Sequence, residues 1–167
     1  MTRIGLLSDT HGSLPKAFYE FTKDCDQIWH AGDIGTIELA TELSKGKTIV
    51  AVYGNIDGHD IRTSNCPKEQ LFMCEDVKVY MTHIGGYPGR YIPAVRNTII
   101  RERPKLVITG HSHILKVIND KKLGHLHLNP GAAGKNGMHK VITMMRFEID
   151  GDRISNLEIH ESARRKT

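Results

Sequence analysis

Five times in this chain a short apolar run stops at a residue able to bind a metal ion. Ile4–Leu7 leads through Ser8 to Asp9 and His11, and Gln27–Ala31 leads to Gly32-Asp33. Thr48–Tyr53 ends at Gly54-Asn55, Val77–Thr82 at His83, and Lys105–Thr109 at Gly110-His111-Ser112-His113. Few folds use such a pattern. Neighbouring strands of a parallel sheet bring the residues at their carboxyl ends together, so donors scattered over the chain can meet at one rim. Residues two apart in an extended segment share a side, which lets Asp9 reach the same point as His11, and His111 the same point as His113. A glycine before Asp33, Asn55 and His111 lets the backbone turn sharply beside a bound group.

The intervening segments fit this reading. The spacing predicts a helix over Leu14–Thr22, with Ser13 as N-cap and Pro15 near N1, and a second over Thr36–Leu43, stopped at Gly46. Ile56–Lys68, with its Gly, Asp, Asn and Pro, reads as loop. Gln70–Cys74 and Val77–Thr82 flank Glu75-Asp76 as a hairpin, and Tyr91–Arg103 reads as a helix stopped by Pro104. Ile114–Asn119, Gly124–Leu128 and Met138–Ile149 are β-rich, and Asp150-Gly151 turns the last of these into Arg153–His160. Strand–helix alternation in the first half predicts a parallel sheet with right-handed crossovers, and the second half reads as antiparallel. The expected architecture is α/β, a two-sheet β-sandwich flanked by helices, in one domain spanning residues 1–167.

Composition narrows the setting. The 167 residues can bury a proper core, and their apolar and charged fractions are those of a soluble globular chain. Three cysteines without a Cys-x-x-Cys spacing suggest neither a disulfide framework nor a thiolate zinc site, and fit a reducing compartment. No run approaches a membrane span, so the expected location is cytoplasmic. The net charge of +4 is mildly basic and suits phosphate-bearing partners, but no motif points to nucleic acid. Part of that charge sits in Arg164-Arg165-Lys166, expected to be a solvated, frayed end. A weak homodimer is expected for so small a fold.

Two aspartates, one asparagine and four histidines are too many donors for one tetrahedral ion. They suit two adjacent divalent ions with positions left open for water and substrate. Imidazole without thiolate favours Mn²⁺, Ni²⁺, Zn²⁺, Fe or Co²⁺ over Ca²⁺ or Mg²⁺. Against the four positive charges of two such ions, Asp9 and Asp33 return two, leaving a cationic site fit for a phosphate ester.

Asp9-x-His11, Gly32-Asp33, Gly54-Asn55-x-Asp57, His83 and Gly110-His111-x-His113, in this order, resemble the signature of the calcineurin-like metallophosphoesterases. The short length and the Asn129-Pro130-Gly131-Ala132 turn resemble the small bacterial and archaeal phosphodiesterase branch. The resemblance implies the four-layer αββα fold and a metal-dependent phosphodiesterase acting on a small phosphate ester. It assigns Asp9, His11 and His113 to one ion, Asn55, His83 and His111 to the other, and Asp33 as the bridge. Mn²⁺ is the first choice of metal, and a hydroxide between the ions would attack phosphorus in line. On the same basis Asp33, Asn55, Asp57 and His83 form the expected catalytic set, with Asp57 either capping its loop or orienting the site. A phosphomonoesterase or nuclease with the same centre is an alternative. A non-catalytic protein-interaction scaffold, as in the retromer subunit of this fold, is another. Two positions depart from the family. Ile56 stands where many members carry a histidine that protonates the leaving group, and Gly85 where this branch commonly has a second histidine after His83.

The remaining histidines receive plainer expectations. His30, inside an apolar run, reads as a hydrogen-bonded core residue. His125 and His127 read as a solvated strand face, and His59, His139 and His160 as surface residues. Arg90 and Tyr91, beyond the glycine-rich loop after His83, are candidates for substrate contact or for an ordinary surface loop.

Overall fold

The computed structural model describes residues 1–164; Arg165 and Lys166 of the basic tail lie outside the described residues. Its elements in chain order are β1 (Thr2–Leu7), α1 (Ala17–Phe21), β2 (Gln27–His30), α2 (Ile37–Leu43), β3 (Thr48–Ala51), α3 (His59–Thr63), β4 (Glu69–Cys74) and β5 (Val77–Thr82). They continue with α4 (Pro93–Glu102), β6 (Leu106–Ile108), β7 (Leu115–Asp120), β8 (His125–Pro130), β9 (Val141–Asp150) and β10 (Arg153–Ala163). Among the described residues the strands form two five-stranded sheets, ordered β10-β9-β1-β2-β3 and β4-β5-β6-β8-β7.

Both sheets are mixed. β1, β2 and β3 run parallel, with the β9–β10 hairpin added antiparallel against β1. In the second sheet β5, β6 and β8 are parallel, and β4 and β7 pair antiparallel at the edges. The antiparallel second half expected from the sequence holds for the β4–β5, β7–β8 and β9–β10 pairs and is corrected for β5, β6 and β8. Helix α4 between β5 and β6 supplies a crossover, so these strands can run side by side in one direction.

Strand alternation decides what each face meets. Ile4, Leu6, Trp29, Ala31 and Val52 of the first sheet, with Met145, Phe147 and Ile149 of β9, pack on Val79, Met81, Leu106, Ile108 and Leu128 of the second. The outward residues Leu7, Ile28, Ala51 and Met144 meet Phe18, Leu39, Leu43 and Ile61 from the helical segments. Tyr80 and Val107 on the far face meet Val95 and Ile99 of α4. Four layers result, two sheets inside and helices on both sides.

The first helix is shorter than its sequence signals. It starts after Lys16, and no side chain caps it; Ser13 instead bonds back to the Thr10 carbonyl. Thr36 does cap α2, accepting from the Leu39 amide. Ile56–Lys68 is not all loop: Gly58 leads into α3, whose Ile61 is buried against the first sheet. Arg164 is held rather than frayed, its amide bonding the Lys140 carbonyl and its guanidinium reaching the carbonyls of Lys135 and Gly137.

Candidate metal centre

The carboxyl ends of the parallel strands of both sheets meet at one rim. Asp9 and His11 follow β1, Asp33 follows β2, Asn55 follows β3, His83 follows β5, and His111 and His113 follow β6. All seven sequence-derived donors come together there. The ligand atoms of Asp9, His11 and His113 lie within 4.8 Å of one another, and so do those of Asp33, His83 and His111. Asn55 Oδ1 lies 3.1 Å from His83 Nε2 and 3.0 Å from His111 Nδ1. Asp33 Oδ2 faces both groups, 3.3 Å from His83 Nε2 and 3.8 Å from His11 Nε2.

The backbone is strained to achieve this. Asp9, His11, Asp33, His111 and His113 all have positive φ, between 47° and 68°, a region L residues rarely occupy. Such strain concentrates at functional sites, where surrounding structure enforces it. Two of the glycines are required by close approach. A Cβ on Gly54 would stand 2.0 Å from Asp33 Oδ1, and one on Gly32 would stand 2.6 Å from His83 Nδ1.

Hydrogen bonds fix which atoms point inward. A carbonyl only accepts, so His83 Nδ1 donates to Ala31 O at 2.7 Å and turns Nε2 toward the site. Asp9 Oδ2 accepts from the Ser8 hydroxyl at 2.6 Å and from the His111 amide at 3.1 Å. Its other oxygen is buried and accepts no hydrogen bond, and His11 Nε2 is likewise orphaned. Buried polar atoms without partners are uncommon, and lone pairs converging on one spot are satisfied together only by a cation. The donor set therefore fits divalent metal ions.

Electrostatics agree in sign. Burial alone would raise the pKa of Asp9, but His113, His83 and Ser8 outweigh it and hold the carboxyl below its usual range. Burial likewise works against ionising Asp33, and His83 with the Ile56 amide reverses it. Both carboxylates stay ionised at neutral pH.

Asp57 is almost wholly buried, and its carboxylate accepts from the amides of Ile34, Gly35 and Gly54. It ties the turn carrying Asp33 to the turn carrying Asn55 and contributes no atom to either donor group. The Ile56 amide donates to Asp33 Oδ1 at 3.0 Å, while its side chain is exposed at the rim.

Three further residues support the donors: His139 and Ser8, which escaped the sequence reading, and Asn129, whose turn it had placed as a structural one near the site. His139, expected at the surface, is half-buried with its Nδ1 3.1 Å from His113 Nδ1. Its Nε2 donates to the Gly134 carbonyl, so its Nδ1 accepts from His113 Nδ1 and directs His113 Nε2 at Asp9 Oδ1, 3.0 Å away. Asn129 uses its amide nitrogen to hold the Gly110 carbonyl and the Ser112 hydroxyl, steadying the turn that bears His111 and His113. Ser8 orients Asp9. Spacing gave no signal for His139, since 26 residues separate it from its partner.

Other expectations require correction. His125 and His127 are buried, each 2.8 Å from the Tyr91 hydroxyl beneath the segment leading into α4. Tyr91 is thereby committed to the second sheet's outer face, while Arg90 is exposed on its loop. His160 is half-buried against the Phe21 ring, away from the rim. His30 is a core residue bonded to the Thr10 hydroxyl and the Gly32 amide, as expected, and His59 is exposed.

Two mixed sheets in a helix-flanked sandwich, with oxygen and nitrogen donors gathered at one rim, define the architecture of a metallophosphoesterase. Residues 2–152 match the calcineurin-like phosphoesterase superfamily domain, and the chain belongs to that family. A probable metallophosphoesterase of Methanothermobacter thermautotrophicus is 30% identical over 159 residues, covering 90% of this chain and 88% of that one. A protein of Methanocaldococcus jannaschii named a phosphodiesterase is 28% identical, covering 77% and 82% of the two chains. Among solved structures, a Vps29 single mutant from Entamoeba histolytica superposes with a TM-score of 0.75 at 16% identity, covering 96% of this chain and 98% of that one. A structure described as a novel archaeal phosphodiesterase gives 0.70 at 22% identity, with coverage of 96% and 99%. At these identities the structural likenesses are likenesses of fold.

Proposed function

We propose that the chain is a metal-dependent phosphoric ester hydrolase, preferring phosphodiesters and working with two divalent ions, Mn²⁺ first among them. The observation that carries this is the pair of donor groups, Asp9/His11/His113 and Asp33/His83/His111, at one rim with Asn55 between His83 and His111. Asp9, His11 and His113 would hold one ion, and Asn55, His83 and His111 the other. Asp33, facing both groups, would bridge them. When bound, the ions would supply Lewis acidity, neutralising phosphoryl oxygens and acidifying a water for in-line attack.

The chain's own part is positioning. Ala31 fixes the His83 ring, and Asp57 locks the Asp33 and Asn55 turns together. Asp57 acts as a positioning residue, because its carboxylate is engaged by backbone amides. Ile56 carries no proton, so departure of the leaving group receives no acid help from that position.

The test is hydrolysis of bis-p-nitrophenyl phosphate by metal-stripped protein after adding back Mn²⁺, Ni²⁺, Zn²⁺ or Mg²⁺, with bound metal counted on the same samples. Metal-dependent turnover that Asp33→Asn abolishes is the expected result. A parallel series of diesters, monoesters and oligonucleotides separates a phosphodiesterase from a monoesterase or nuclease. Two bound ions per chain without hydrolysis of any ester would instead favour a non-catalytic scaffold of the same fold.

A further inference from the structure

Beside the metal centre, on the Asn55 and His83 side, lies a cavity of about 260 Å³. Asn55 and His83 form part of its wall, together with Tyr53, Ile84, Arg62 and Lys68. Among the described residues no acidic side chain lines it, and neither Arg62 nor Lys68 has a carboxylate partner. A comparable cavity elsewhere shows the contrast: its Arg3 pairs with Glu148 at 3.1 Å and its Arg146 with Glu158 at 2.6 Å.

Arg62 is held in place. Its guanidinium lies 4.5 Å from the Tyr53 ring centroid, and its Nε donates to the Asp57 carbonyl at 2.7 Å. Stacking and one hydrogen bond fix the guanidinium plane, and no described hydrogen bond engages the terminal nitrogens. A planar fork fixed in this way suits bidentate capture of a phosphate, and the neighbouring ammonium adds a second charge.

We propose that this cavity is a subsite for a second phosphate carried on an ester arm of the substrate, gripped by Arg62 and Lys68. This rests on the phosphodiesterase reading and narrows its substrate class to phosphate esters with a further phosphate near the scissile one. Ile84 and the Tyr53 ring form the apolar part of the wall, against which the connecting atoms of the arm pack.

Two pairs of substrates test it, each differing only in the second phosphate. The first is thymidine 5′-p-nitrophenyl phosphate with and without a 3′-phosphate, and the second is p-nitrophenyl propyl phosphate with and without a terminal phosphate on the propyl chain. Each phosphorylated member should show a KM lower by about tenfold, the scale of a charge-assisted contact at a partly exposed site, and the gap should close in high salt. Lys68→Ala should bring the two KM values of each pair together, and Lys68→Arg should restore the gap. A preference in both pairs assigns recognition to the phosphate alone; a preference in the nucleoside pair alone supports the subsite for nucleoside bisphosphates. Equal KM values in both pairs, or a gap that survives Lys68→Ala, overturn it.

If no diester is hydrolysed, the phosphodiesterase reading fails separately, and calorimetry on metal-loaded protein still tests the subsite. Adenosine 3′,5′-bisphosphate should then bind more tightly than adenosine 5′-monophosphate, and Lys68→Ala should remove the difference; equal affinities overturn the subsite.

Discussion

His139 is where the chemistry of a single residue goes furthest beyond its place in the sequence. Burial lowers its pKa, so the ring is neutral at pH 7 and can accept from His113 Nδ1 while donating to Gly134. His139→Phe removes that acceptor and frees the His113 ring to turn. Losses of this kind weaken metal affinity about 10–100-fold, so titration with Mn²⁺ should show one ion weakened and the one facing Asn55 retained. Equal weakening of both ions would refute this role. Ile56 invites the reverse experiment. General acid help is worth about 10²–10⁴ in rate, so the present chain should strongly favour p-nitrophenyl over alkyl esters. Ile56→His should narrow that preference by speeding the alkyl ester, and unchanged relative rates with chemistry limiting would count against it. The seven residues that meet at the rim were legible in the sequence because they follow apolar runs, and so was the Asn129 turn, whereas His139 and Ser8 act through contacts that no spacing encodes.

The elements behave as units around these residues. Helix α4 and the second sheet are joined by Tyr91, whose hydroxyl meets His125 and His127. Thr109 donates to the Gly86 carbonyl, so it accepts from His127 Nε2 and leaves His127 Nδ1 to accept from Tyr91. Tyr91→Phe therefore strands two buried ring nitrogens and should destabilise the fold by about 1–3 kcal/mol, read as a lower urea midpoint. An unchanged midpoint would show the network to be dispensable. Strand alternation correctly placed His125 and His127 on one face of β8, but alternation names faces and not what covers them. The same limit explains α3: Gly58 and the Asp-rich turn read as loop, and only the burial of Ile61 against the first sheet makes a helix worthwhile there.

For the molecule as a whole, acid is the sharpest probe. Burial pushes the pKa of His30 from 6.5 to about 3 and that of His127 from 6.5 to about 4. The unfolded chain takes up these protons at higher pH than the folded one. The stability from keeping both rings neutral is therefore full above about pH 6.5 and is lost as the pH falls toward 4 and then 3. Near pH 5 the two rings should contribute a slope of about 2–3 kcal/mol per pH unit, seen by urea denaturation of metal-free protein. A flat profile between pH 6.5 and 4 would show these rings to be protonated in the folded state. Metal addition at neutral pH should raise the melting temperature, since ions bound only by the folded chain stabilise it by mass action. The sequence by itself determined most of the strands, the donor-type residues at their ends and the parallel run of β1, β2 and β3, because apolar period, glycine placement and side-chain type are local properties. Tertiary structure alone decided that β5, β6 and β8 run parallel and that β9 and β10 join the first sheet. It also decided that His139 backs His113, and that Arg62 and Lys68 share a cavity with Asn55 and His83. Each of these depends on which surfaces meet across the sandwich, and the order of residues along one strand carries no information about its partner.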